Sequence, residues 1–187
     1  YCNLSELYQY CGRYKDAMHY LQQARESAER HHFETIRVTF YWVEFLSLVR
    51  YSSALLRMTR RLEHEIEQEK ANYLKLLCDS YRAHAFYLTE KREEAASLAS
   101  EVLENARRFN LKKEAYLATR TLFSCTEDEP VQRDYIKELK RLAAEKHSDQ
   151  FSLETLILEL SDRKEESLIQ EGYAILGRAP LDRKSGV

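Results

Sequence analysis

The chain repeats itself at a fixed distance, and this constrains its fold more than any other feature. The stretch GRYKDAMHYLQQARESAERHHFETI, from Gly12, aligns with EKREEAASLASEVLENARRFNLKKE, from Glu90. Asp16 then meets Glu94, Ala17 meets Ala95, Ala28 meets Ala106, Arg30 meets Arg108 and Phe33 meets Leu111. The offset is 78 residues (12 to 90), and half of it, 39, falls in the range of repeats built from pairs of helices. A middle copy is therefore expected. VRYSSALLRMTRRL, from Val49, supplies it, because Tyr51 and Ala54 each follow Tyr14 and Ala17 by 37 residues. A single unit of this kind cannot bury its apolar face, so successive units must stack to close a core.

Composition fixes the class of unit. Only 4 Gly and 2 Pro occur in 187 residues, too few for sheets and their turns. The chain reads as all-α, with helices near 1–11, 14–31, 34–50, 52–69, 70–89, 92–109, 112–124, 130–146, 152–162 and 165–176. Pro130 suits a first helical position after the acidic TEDE. Ser152 reads as an N-cap, with Phe151 and Leu156 forming a hydrophobic staple across it. Gly177 marks a stop. No linker divides the chain, so we expect one domain over 1–177 and a polar, loose tail over 178–187. The chain begins with Tyr1 rather than Met, and we expect it to be a piece of something longer.

At the N-terminus the pattern becomes specific. Tyr1-x2-Leu4-Ser5-x2-Tyr8 is followed by Ala17-x3-Leu21 and Ala24, with Gly12 at the turn between two helices. This resembles the tetratricopeptide signature of aromatic, Leu, small residue and Tyr, then Ala and a large apolar residue. It departs in having Ser5 where Gly is usual and no closing Pro. Small residues at Ser5, Ala17 and Ala24 would let helices approach closely, and Tyr1, Leu4, Tyr8 and Leu21 would fill the space around them. The order returns around Tyr81, Ala85 and Leu88, with Ala95 and Ala99 following. In the second unit a bulky Trp42 stands where a small residue is expected. The resemblance implies a right-handed superhelix, or α-solenoid, of antiparallel helix pairs. In length and drift the units are also similar to the helical sensor regions of large bacterial signalling ATPases and transcription activators.

Little in the sequence points to chemistry. Cys2, Cys11, Cys78 and Cys125 form no CxxC pair, so they read as small hydrophobes in a reducing, cytoplasmic compartment. Cys11 near His19 lacks a group to orient the imidazole, and no Walker loop, GxSxG or HExxH is present. Glu63, His64 and Glu67 read as an exposed Glu-rich face rather than metal ligands. The basic runs Arg57, Arg60, Arg61 and Arg107, Arg108, Lys112, Lys113 read as solvated helix faces. The net charge of −2 gives no bulk attraction to nucleic acid. The most apolar stretch, Val38 to Val49, is too short for a membrane span and contains Glu44. We therefore expect no enzyme activity, cofactor, metal, nucleic-acid contact or membrane contact.

The region 34–50 is apolar on every side and must be covered on more than two. We expect flanking helices to bury most of it. If a groove exists, the resemblance places Glu6, Gln9 and Tyr10 of the first pair inside it. Thr39, Val43 and Leu46 of the second would join them, with Arg82 or His84 of the third. Such a groove suits an extended peptide or a partner helix. The expected function is a protein-interaction module within a larger protein. The rival is a ligand-sensing domain of a signalling regulator. A homodimer through an uncovered end of the stack is a further expectation.

Overall fold

The computed structural model describes residues 1–31 and 35–163. Among them the chain is all-helical, with nine α-helices in succession. These are α1 (Cys2–Tyr10), α2 (Tyr14–His31), α3 (Thr35–Leu48), α4 (Ser52–Gln68), α5 (Lys75–Leu88), α6 (Arg92–Arg108), α7 (Lys112–Cys125), α8 (Glu129–Lys146) and α9 (Asp149–Arg163). A single 3-10 turn, Asn72–Leu74, leads into α5. The sequence reading placed these helices closely. The expected helix 165–176, the Gly177 stop and the tail 178–187 lie outside the described residues.

Helix lengths alternate. The odd-numbered α3, α5 and α7 each have 14 residues, and the even-numbered α2, α4, α6 and α8 have 18, 17, 17 and 18. At 1.5 Å per residue these are about 21 Å and 26 Å long. Each helix packs on the next in sequence. In addition α1 packs on α3, α3 on α5 and α5 on α7. Among the described residues no two even-numbered helices pack on one another in this way.

The helix ends explain this regularity. After α1, α3, α4, α5, α6 and α8 one residue enters the left-handed region. These residues are Gly12 (φ 68°), Arg50 (56°), Lys70 (54°), Glu90 (63°), Asn110 (57°) and His147 (52°). Each is framed by the same pair of backbone bonds. Gly12 N–H donates to Gln9 O at 3.0 Å and Arg13 N–H to Tyr8 O at 2.9 Å; Glu90 N–H donates to Tyr87 O at 3.1 Å and Lys91 N–H to Phe86 O at 3.0 Å. This Schellman closure satisfies carbonyls that the helix end would otherwise leave bare. Gly and Asn adopt the left-handed region cheaply, but Arg50, Lys70, Glu90 and His147 do so at a cost of about 1–2 kcal/mol each.

The core runs through the stack without interruption. Leu21, Val43, Leu55, Leu62, Val102, Tyr116, Leu139 and Leu142 are fully buried. So are Ser5, Ala17, Ala95, Ala99 and Ala106, whose small size lets neighbouring helices approach. Most of α3 is covered, as expected: Ile36, Val38, Thr39, Val43, Phe45, Leu46 and Ser47 are buried, and Phe40, Tyr41 and Trp42 are half-buried. Of the cysteines read as small hydrophobes, Cys78 is buried, Cys2 and Cys125 are half-buried, and Cys11 is exposed.

Two local expectations need correction. Ser152 is not an N-cap but lies within α9, its hydroxyl donating to Ser148 O at 3.0 Å. Ser148 takes the capping role, its Oγ accepting from Phe151 N–H at 3.3 Å. Phe151 consequently sits in the first turn of α9 rather than before it, and stacks on Tyr116 with ring centroids 4.0 Å apart. Pro130 lies in the first turn of α8, as expected, with Asp128 as the cap accepting from Val131 N–H at 3.3 Å.

Replacing the strained stops with glycine should stabilise the chain. Lys70→Gly and Glu90→Gly are each expected to add about 0.5–1 kcal/mol and raise Tm by about 2–4 °C per kcal/mol. Gly12→Ala should do the reverse. A Cβ there meets nothing within 4 Å, so the loss would be a backbone effect rather than a clash. Thermal melts of the three variants check both signs.

Candidate functional site

The faces that the odd-numbered helices turn toward one another carry a polar cluster. It is built from one repeated position. Tyr10, Ser47 and His84 are 37 residues apart (10 to 47, 47 to 84). Arg120 follows after 36 (84 to 120) and Glu154 after 34 (120 to 154). The repeat length places these side chains on successive odd helices, α1 to α9, at one level.

Three of the links are direct. Ser47 Oγ lies 2.8 Å from His84 Nδ1. Arg120 donates to the same Nδ1 at 3.2 Å and to Glu154 at 3.0 Å. A guanidinium has only donors, so Nδ1 must accept, which makes His84 the neutral tautomer with its proton on Nε2. Burial and the charges of Arg120 and Arg50 hold the imidazole well below its ordinary pKa, in agreement. Tyr87 stacks against its ring at 6.4 Å.

A second row runs beside the first. Glu44 of α3 accepts from the Tyr81 hydroxyl of α5 at 3.0 Å and pairs with Lys113 of α7. Phe40 closes this corner, edge-on to Tyr81 and beneath the Lys113 ammonium. Burial, then the Glu44 charge, push the Tyr81 phenol well above its usual pKa. Further along, the buried Tyr116 hydroxyl donates to Phe151 O at 2.9 Å, with Thr155 Oγ1 at 3.1 Å. Tyr10, on α1, reaches Gln150 on α9 at 3.5 Å. Its phenol is raised by partial burial and by the charges of Glu6, Glu44 and Glu154. First and last described helices thus meet through side chains across 140 residues.

The residues named from sequence divide among three places. Glu6, Gln9 and Tyr10 lie on α1, where Gln9 donates to Ser5 Oγ at 3.2 Å and Tyr10 is 62% exposed. Thr39, Val43 and Leu46 are covered by neighbouring helices (Val43 completely), so they serve as packing and line no open surface in this chain. His84 joins the polar cluster but is itself buried. Arg82 points away from it, pairing with Glu63 of α4 at 2.5 Å and with Asp79 at 2.8 Å. Sequence reasoning missed Glu44, Ser47, Tyr81, Lys113, Arg120, Gln150 and Glu154. The available signal was the 37-residue interval itself, carried forward from Tyr10.

Chemically the cluster offers hydrogen-bond donors and acceptors. The buried thiol of Cys78 is pushed up to about 12 by burial and by Asp79, and donates to Thr59 O at 3.5 Å. Among the described residues no three His, Cys, Asp or Glu side chains converge to hold a metal ion. No described helix is long and apolar enough to cross a membrane. No protein-family model, curated protein or solved structure matches the chain, so its geometry alone carries the functional argument.

The neutral His84 makes stability depend on pH with a definite sign. Its folded pKa lies below the unfolded value of about 6.5, so its contribution is complete above that pH and is lost as pH falls through it. Urea unfolding between about pH 7 and 5 should show ΔG falling by up to about 1.4 kcal/mol per unit. His84→Gln, which keeps an acceptor for Arg120, should flatten that limb.

Proposed function

We propose that the chain is a right-handed superhelix of antiparallel helix pairs, resembling tetratricopeptide repeats, and acts as a non-enzymatic protein-interaction module. Its binding face is the surface of the odd-numbered helices, and its partner is a peptide in extended form. The alternation of shorter and longer helices supports the repeat. So does the packing of odd helices on one another while the even ones stay apart, which draws the odd face inward. The unit is longer than the roughly 34 residues of a tetratricopeptide repeat. Successive left-handed stops, at 12, 50 and 90 and again at 70, 110 and 147, lie 37 to 40 residues apart.

The observation that carries the proposal is the recurrence of one register position as Tyr10, Ser47, His84, Arg120 and Glu154. An extended peptide presents backbone donors and acceptors at regular intervals, and a face repeating polar groups at a fixed interval can answer them. The groups are partly open. Side chains of Glu44, Lys113, Arg120 and Glu154 retain 28%, 31%, 18% and 22% of their exposure. These pairs keep an opening to solvent, so a partner that supplies equivalent donors and acceptors can take over their bonds without leaving them unpaired.

Tyr10→Ala and Lys113→Ala, both on the open part of this face, test the proposal against a peptide recovered by pull-down and resynthesised. Each is expected to weaken binding about tenfold, or roughly 1.4 kcal/mol. Unchanged affinity in both, with circular dichroism intact, would count against the odd face. The rival, a small-molecule sensor, is supported by the Tyr10–Gln150 contact that joins the two ends of the described chain. A saturable rise in Tm with one compound from a metabolite panel, and none with peptides, would favour it.

A further inference from the structure

A second surface lies on the opposite side of α5. Because α4 and α6 both pack on α5 but not on each other, they leave a slot between them of about 610 Å³. Its apolar part is Leu56 of α4, Phe86 of α5 and Leu98 of α6, all half-buried. Glu63 of α4 and Glu93, Glu94 and Glu101 of α6 stand along its sides.

The charges here do not balance. Arg82 is shared between Glu63 and Asp79, so it already faces two carboxylates. Glu93, Glu94 and Glu101 take part in no ion pair among the described residues. Against them stand Arg60 in the slot wall and Lys91, whose ammonium sits over the Phe86 ring at 5.8 Å. Burial raises the Asp79 carboxyl; Arg82 and Lys75 pull it down, and Glu63 and Glu101 push it up. The slot is therefore an apolar strip whose α6 wall carries surplus negative charge.

We propose that the slot between α4 and α6 is a docking surface for a basic amphipathic helix of a partner protein. Its apolar stripe lies on Leu56, Phe86 and Leu98, and its lysines or arginines lie against Glu94 and Glu101. The dimensions agree. Leu56 to Glu63 along α4 covers about 10 Å, or two helical turns. Two turns present anchors at i, i+3 or i+4, and i+7, the pattern by which a helix seats in a groove. Surplus carboxylates select the sign of the partner's polar face and speed its approach. This surface is separate from the odd-helix face and does not depend on it.

The test uses the whole chain and a labelled synthetic helix of about 18 residues, long enough to hold helical structure, with leucines on one face and lysines on the other. A matched peptide carries glutamate in place of lysine. Fluorescence anisotropy should show saturable binding of the lysine peptide, weakening as salt is raised, and at least about tenfold weaker binding of the glutamate peptide. Glu94→Lys/Glu101→Lys changes only exposed side chains and should cost the lysine peptide at least about tenfold. Leu98→Ser should weaken it independently of salt. Asp134→Lys, a charge reversal on α8, should leave binding unchanged. Equal binding of the two peptides, or loss in Asp134→Lys as great as in the groove variant, would overturn the proposal. So would affinity unaffected by both groove variants.

Discussion

The structure depends on where its helices stop. A helix that ran one turn further would carry every later side chain around the axis and break the match between units. The stops at Arg50, Lys70, Glu90 and Asn110 are spaced twenty residues apart along the chain. They hold the lengths of α4, α5 and α6 and, with them, the side each helix turns to its neighbours. All four carry a Cβ into the left-handed region; Asn110 tolerates it, and the other three do so at about 1–2 kcal/mol each. The closure at Lys70 shows what offsets this. The residue after it, Ala71, is buried and donates to the carbonyl of Ile66, which is itself buried. Burying the one methyl of Ala71 contributes about 0.8 kcal/mol, and each of the two closing backbone hydrogen bonds about 0.5–1.5 kcal/mol, which together offset the strain.

Stopping the helices fixes their length but not how they slide along one another. Apolar contacts have little directional preference, and a stack held by them alone would tolerate small slips. The bonds from Ser47 to His84, His84 to Arg120 and Arg120 to Glu154 are directional and partly buried. A slip of one turn, about 5.4 Å, would leave Arg120 beside an imidazole it could not reach and Glu154 without its cation. Leaving such groups unpaired costs about 1–3 kcal/mol each, and more where they are charged. The same register position that supplies the candidate binding face thus also selects the alignment of the helices that form it.

The helices were legible in the sequence because two signals agreed, the scarcity of Gly and Pro and the 78-residue echo between Gly12 and Glu90. Their stops were less so. Gly12 announces itself, but nothing about Arg50, Lys70 or Glu90 marks a left-handed residue, since their place is set by packing beyond them. The groove was harder to read. Residues 34–50 are so largely apolar that their pattern has no phase, and Thr39, Val43 and Leu46, expected along a groove, are buried under neighbouring helices. Ser47 and Glu44 were one position away. The pairing of Arg82 with His84 was a genuine ambiguity that helix geometry resolves. Two residues along a helix is about 200° of rotation, so only one of them could face the odd helices. His84 does, and Arg82 turns to the slot beside α4.

That division gives α5 two unlike surfaces. On the His84 side charges are matched: Glu44 with Lys113, Glu154 with Arg120, and the imidazole kept neutral between two arginines. A matched surface projects little field, so it can attract a partner only at contact, through the geometry of individual hydrogen bonds. On the Arg82 side Glu93, Glu94 and Glu101 stand together on α6 beside an apolar strip and outnumber the cations Arg60 and Lys91. A surface of that kind acts at a distance, and its strength falls as salt screens it over about 8 Å at physiological ionic strength. The two faces would therefore discriminate between partners by different physics, one by the spacing of polar groups and the other by the sign of a field. Ionic strength would weaken the second far more than the first.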